Sequence, residues 1–331
     1  MLYIMFFKNF TYKYKILKLV VLVFCAVPLL SYSQADKYTP KVNLAIDTYA
    51  FLKGQSAALE TIALQFPKLK PDVVKAEKNL EKLFARAERN IGHFLKAELD
   101  HSDFNSLNVH IDSLLNEQFK NPIEKEKYAL DFLAEVKDRS RFISDTLLLK
   151  GIVSFAYHDA PHQEITDGHI QTFTTKDHPK AEQTTLKLPI PKSWLAEEAE
   201  MPETVQQFTS HSGKGSEKIL IVVYDLPAEK HEVVLNEKSI SEMIPPQTKL
   251  IRTEQITIDG RPGMMIEAEE TLDYDDDKMK IRMLQFMFVQ KSKLYCLQGS
   301  IGPTDAGKDL EPEIKKYEPL FRLIAERTQM D

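Results

Sequence analysis

The chain has 331 residues, of which 43% are hydrophobic and 28% charged, with a formal net charge of −6. That length has room for two domains. An acidic balance with no basic stripe interleaved with aromatics excludes a surface built for nucleic acid or anionic lipid.

The first residues belong to neither domain. Lys8, Lys13, Lys15 and Lys18 make a basic lead-in to the apolar run 19–30, and Ser31-Tyr32-Ser33 places small residues at −3 and −1 before Gln34. This is the pattern of a secretory signal peptide over 1–33, with an apolar run short for a membrane span. The alternative is an uncleaved anchor. Cys25 does not read as a lipidation site, because Phe24 stands where a small residue is wanted. Cleavage removes four lysines and no acid, taking the formal charge from −6 to −10. It leaves Cys296 as the only cysteine, which excludes an internal disulfide. The expected location is the periplasm or the extracellular space, and the expected partner is another exported or envelope protein.

Val42, Ala45, Tyr49, Leu52, Ser56, Leu59, Ala63 and Phe66 recur at steps of three and four, predicting a helix over 41–66 that Pro67 stops. A second helix runs from Pro71 through Val73, Ala76, Leu80, Leu83, Ala87, Ile91 and Phe94. A third follows near 103–119. A fourth is signalled by Asn121 as cap, Pro122 at the first position and Glu124 beyond. Short polar connectors make an antiparallel bundle the economical reading, and its stripes of Leu, Ala and Phe read as core.

The pattern changes after about Arg141. The runs 147–157 and 170–175 read as strands, with a loop over 159–168 between them. The stretch 186–195 alternates Leu186, Leu188 and Ile190 with polar residues or proline, and its two prolines confine it to an edge or a strand end. Trp194, the only tryptophan, is expected in the core where that strand turns off. Gly213-Lys214-Gly215-Ser216 lacks the spacing of a phosphate loop and reads as a turn. The run 219–224 is continuously apolar, as in a strand covered on both faces. A short helix over 237–243 follows. Two hairpins then turn at Asp259-Gly260 and Lys291-Ser292, and a closing helix presents Ile314, Tyr317, Leu320, Phe321 and Ile324.

A strand ending Leu188-Pro189-Ile190-Pro191-Lys192-Ser193-Trp194, a hydrophobic strand, the segment 258–263 reading Ile-Asp-Gly-Arg-Pro-Gly, two long returning strands and a terminal helix resemble the PsbP-like family, including exported proteins similar to DcrB. The resemblance covers about 185–330. It implies an α/β/α sandwich around a mainly antiparallel sheet, and an accessory or binding protein without catalytic residues. The expected whole is therefore α+β: a signal peptide over 1–33, a helical bundle over 36–142 and a sandwich over 145–331. The expected activity is none, with carriage of a small apolar ligand as an alternative.

One cluster offers chemistry. His158, His162, His169 and His178 lie among Asp159, Glu164, Asp167 and Asp177, donors suited to zinc. His158, Asp159, His162 and His169 are the candidate ligands of a metal-dependent enzyme. Pro161 between the first two breaks the helix that a metalloprotease pair needs, so a wet loop of imidazoles and carboxylates is the competing reading. Asp273, Asp275 and Asp277 alternate like a calcium loop, but Lys278 replaces its glycine and Leu284 its glutamate; they read as a solvated hairpin tip. Cys296 reads as a small buried hydrophobe. Mass spectrometry of the exported chain should find its first residue near Gln34; retention of 1–30 would refute cleavage.

Overall fold

The computed structural model describes residues 37–80, 83–141, 146–181, 184–199, 201, 203–226, 234–245, 248–274 and 277–331. The expected signal peptide over 1–33 lies outside them, as does Asp275 of the expected acidic tip. The chain divides into two compact units, one ending at Ala156 and the other beginning at Tyr157.

The first unit is helical. It comprises α1 (Pro40–Gln65), α2 (Lys70–Leu80), α3 (Phe84–Glu98), α4 (His101–Gln118), α5 (Glu126–Arg141) and α6 (Leu147–Ala156). Thr39 caps α1 by accepting from Val42 N–H at 3.3 Å, and Pro40 takes a first-turn position where no N–H is needed. Half of α1 is buried, and it packs against α2, α3, α4 and α6. The second expected helix is two, α2 and α3. The fourth starts later than Asn121 because the Gln65 side chain takes both backbone groups of Ile123: Nε2 donates to its carbonyl at 2.7 Å, and its N–H donates to Oε1 at 2.8 Å. With Ile123 also buried, the segment before Glu126 is held out of the helix.

The run 147–157, expected as a strand, is the helix α6. A continuous apolar run does not distinguish a buried strand from a buried helix, and packing decides. Gly151 sits where a Cβ would come within 2.7 Å of Thr48 Oγ1 and 3.2 Å of Leu44, so α6 lies directly on α1. Asn90 Nδ2 donates to the carbonyls of Phe155 at 3.0 Å and Ala156 at 3.3 Å, satisfying orphan acceptors at the end of α6. The division of the chain therefore falls after α6 rather than at 142–145.

The second unit begins with the five-residue helix α7 (His162–Thr166), where a loop was expected. A small sheet follows, of β1 (Ile170–Thr174), β2 (Leu186–Pro191) and the terminal pair β10 (Gln329–Met330), in the order β1-β2-β10. The proline-bearing strand is thus central rather than an edge, and its prolines fall at the strand end, with Pro191 its last residue. Its prolines are tolerated because β10 pairs only with Leu186 and Lys187 and leaves that side of Pro189 and Pro191 open.

The main sheet contains β3 (Leu195–Glu197), β4 (Thr204–Thr209), β5 (Glu217–Asp225), β6 (Thr248–Ile258), β7 (Arg261–Tyr274), β8 (Asp277–Gln290) and β9 (Lys293–Asp305). Its order is β3-β4-β5-β9-β8-β7-β6, antiparallel at every pairing. The hairpin turns are as expected, with positive φ at Asp259, Gly260, Lys291 and Ser292. Both faces are covered. One carries Ile219, Ile221, Met265, Phe286 and Leu297 beneath Tyr317, Leu320 and Phe321 of α9 (Glu311–Glu326). The other carries Leu220, Val222, Ile266 and Leu294 beneath Ile240 of the seven-residue helix α8 (Glu237–Met243). Layers of helix, sheet and helix make this an α+β chain with an antiparallel sandwich.

Ion pairs fix α9 over the sheet. Arg282 of β8 holds Glu267 of β7 at 2.5 Å and also reaches Glu311 of α9. Arg252 bridges Glu267 at 2.5 Å and Glu318 at 2.6 Å, and Arg322 bridges Glu318 at 2.7 Å and Glu254 at 2.5 Å. Glu267 and Arg282 are buried, so removing one partner leaves an uncompensated charge.

Trp194 is 3% exposed and meets Tyr317 edge-on, with ring centroids 6.3 Å apart. Trp194→Ala should destabilise this unit by about 3–5 kcal/mol, measured by denaturant unfolding. The wild-type protein, with its single tryptophan, should emit at blue-shifted wavelength and resist iodide; a red, readily quenched emission would contradict the burial.

Candidate functional site

The four histidine-loop candidates are held by different neighbours. His158 lies in the turn after α6, its ring edge-on to His211 at 5.8 Å. Asp159 is exposed. His162 opens α7, and His169 faces the ring of Tyr157 at 5.6 Å. Asp167, at the end of α7, accepts from the Tyr157 hydroxyl at 2.9 Å. Among the described residues no group of three or more His, Cys, Asp or Glu side chains is placed to hold a metal ion.

The same segment feeds a buried polar cluster that sequence spacing did not reveal. Glu164, on the inner side of α7, is 2% exposed. Its Oε1 accepts from Ser193 N–H and its Oε2 from Ser193 Oγ, both at 2.8 Å. Burial pushes this carboxyl up to about 7, against the opposing pull of the Ser193 and Lys192 hydrogen bonds. The carbonyl of Ser193 in turn accepts from Ser212 N–H at 2.8 Å.

Ser212 belongs to a left-handed turn between β4 and β5. His211 has φ 50° and ψ 42°, Ser212 has φ 54° and ψ 42°, and Gly213 continues at φ 84°. Non-glycine residues pay about 1–2 kcal/mol each for this conformation, so the surroundings must hold it. Ser210 Oγ donates to Glu217 Oε2, and His211 Nδ1 lies 3.1 Å from Ser210 Oγ and 3.7 Å from Glu217 Oε2. Gly215 closes over the group: a Cβ there would fall 1.8 Å from Ser210 Oγ and 2.5 Å from Glu217 Oε2. Glu217 and Glu164 also help raise the Tyr317 hydroxyl well above the ordinary tyrosine range, after burial as the main cause.

A serine, a histidine and a carboxylate within hydrogen-bond reach suggest acyl transfer. The arrangement differs from a triad in two respects. The same Nδ1 faces both serine and carboxylate, whereas a relay uses the two ring nitrogens separately. Ser210, His211 and Glu217 are also only 1–2% exposed. The chemistry of this group is that of an internal brace. A sequence signal did exist: Ser210 and Glu217 flank a segment containing Gly213 and Gly215, but their meeting depends on the left-handed turn.

Neither a family model nor a curated protein matches the sequence. Solved structures do. The solution structure of cyanobacterial PsbP (CyanoP) from Synechocystis sp. PCC 6803 is 15% identical, covers 49% of this chain and 93% of that one, and has a TM-score of 0.32. The crystal structure of LpqN, involved in cell envelope biogenesis of Mycobacterium tuberculosis, is 15% identical over 52% of this chain and 96% of that one, with a TM-score of 0.30. The PsbP-like resemblance is thus one of fold alone and transfers no residue role.

Glu164 gives this unit a pH signature. Its folded value near 7 lies above the ordinary 4.5, so its stabilising protonated form is complete below about 4.5 and is lost as pH rises through 7. The loss amounts to about 3 kcal/mol. Glu254 and Glu311, held below the ordinary range by hydrogen bonds to Arg322 and Lys315, act in the opposite sense at lower pH. Between pH 5 and 8 the melting temperature should fall more steeply in the wild type than in Glu164→Gln; parallel curves would refute the assignment.

Proposed function

We propose that this chain is an exported, non-catalytic accessory or binding module acting with another exported or envelope protein. The observation that carries this reading is the burial of the Ser210–His211–Glu217 group. The side chains that together could perform nucleophilic chemistry are spent on holding a strained turn, with Gly215 packed over them. The basic and apolar leader before Gln34 supports export. Among the described residues no helix is long and apolar enough to cross a membrane. The sheet, pinned to α9 by charge pairs, gives a rigid platform of the kind on which loops carry recognition.

The test is made on the purified chain. A fluorophosphonate probe should label no serine, and zinc should be present well below one equivalent. Labelling of Ser210 that disappears in Ser210→Ala would overturn the reading in favour of an enzyme. Stoichiometric zinc lost when His158 and His162 are both replaced by Ala would do so in favour of a metal centre. Crosslinking in intact cells should recover the chain in one discrete complex with an exported or envelope protein.

A further inference from the structure

The sheet face under α8 carries an alignment of sulfur. Met264 of β7 pairs directly with Met287 of β8, and Met287 pairs directly with Cys296 of β9. All three belong to the same apolar cluster and are 2%, 5% and 4% exposed. One register line across three neighbouring strands thus bears two thioethers and a thiol. Directly opposed side chains stand about 4.5–5.5 Å apart at Cβ, and the long methionine arms reach beyond that. The line continues to Val222 of β5, and the same three strands bear Met265, Phe286 and Leu297 as direct partners on the opposite face.

We propose that Cys296, Met287 and Met264 form a binding site for monovalent copper, Cu(I). Thiolate and thioether donors select Cu(I) over harder ions. Charge decides the oxidation state. Binding exchanges the thiol proton for the metal: Cys–SH and Cu⁺ give Cys–S–Cu and H⁺, with the thioethers as neutral donors. The loaded site therefore carries no net charge, which an apolar interior accepts, whereas a divalent ion on one thiolate would leave a buried positive charge. Among the described residues Ile240 of the seven-residue α8 packs on this cluster, with Leu226, Leu235 and Ile244 beside it. The site is independent of whether the chain is catalytic.

The purified chain, reduced and oxygen-free, should take up one equivalent of Cu(I) in competition with bicinchoninate. X-ray absorption should show sulfur neighbours only. Cys296→Ser should abolish this uptake. Met287→Leu, which keeps the core volume, should weaken it at least tenfold while leaving the melting temperature of the metal-free chain nearly unchanged. Zinc should not compete. The proposal is overturned if the wild type takes up no Cu(I), if Cys296→Ser or Met287→Leu binds as well as the wild type, or if the bound copper shows nitrogen neighbours, which would place it on the histidines.

Discussion

The sheet unit depends on what Ser193 holds together. Its N–H and hydroxyl both go to Glu164 of α7, and its carbonyl takes the N–H of Ser212 in the left-handed turn. Three segments distant in sequence are thereby fixed at one buried point. The neighbouring Trp194 is set against Tyr317 of α9. A buried carboxyl costs free energy unless it is satisfied or neutral, and Glu164 is both hydrogen-bonded and shifted toward neutrality. The strain at His211 and Ser212 is offset locally by the Ser193 carbonyl and by the Ser210–Glu217 hydrogen bond beneath Gly215.

The two faces of the main sheet follow different physical rules. On the α9 side, apolar packing is reinforced by charges whose partners come from β6, β7, β8 and the helix. Such a network costs desolvation and returns a fixed geometry, so that α9 has one seat on the sheet. On the α8 side Ile240 and the flanking Leu226, Leu235 and Ile244 pack on a cluster that holds two methionines and a cysteine among aliphatic residues. Methionine gives adaptable packing there, and its sulfur gives that face a coordination chemistry that hydrocarbons lack.

Much of this was legible in the sequence. Turn residues gave the two hairpins, and steps of three and four gave α1, α3, α4 and α9, because each signal is local. The lone tryptophan also reads correctly, since a large ring after an alternating strand has few places to go but the core. Errors arose where a neighbour outweighed local preference. Asn121, Pro122 and Glu124 are a sound helix start, overridden by the Gln65 amide that binds both backbone groups of Ile123. The run 147–157 has strand composition, overridden by α1 and by the Asn90 amide at its end. Pro189 and Pro191 read as an edge or a strand end; their strand sits in the middle, and the shortness of β10 leaves the end that bears them open on that side.

The candidate site divides in the same way. Sequence identified the histidine segment as a place where polar groups gather, and it named Glu164, but it could not say that this carboxyl turns inward to Ser193 while Asp159 faces solvent. Cys296 could be read as buried from its alternation, whereas its alignment with Met287 and Met264 required the register of three strands. Composition, acidic charge and strand and helix periods are properties of neighbouring residues, so the sequence by itself determined them. The Ser193 junction and the sulfur line join residues well separated along the chain, and the sealed Ser210–His211–Glu217 group closes only through a left-handed turn. Only the tertiary structure decided them, because hydrogen bonds and strand register are settled by which distant groups burial brings within about 3–5 Å of each other.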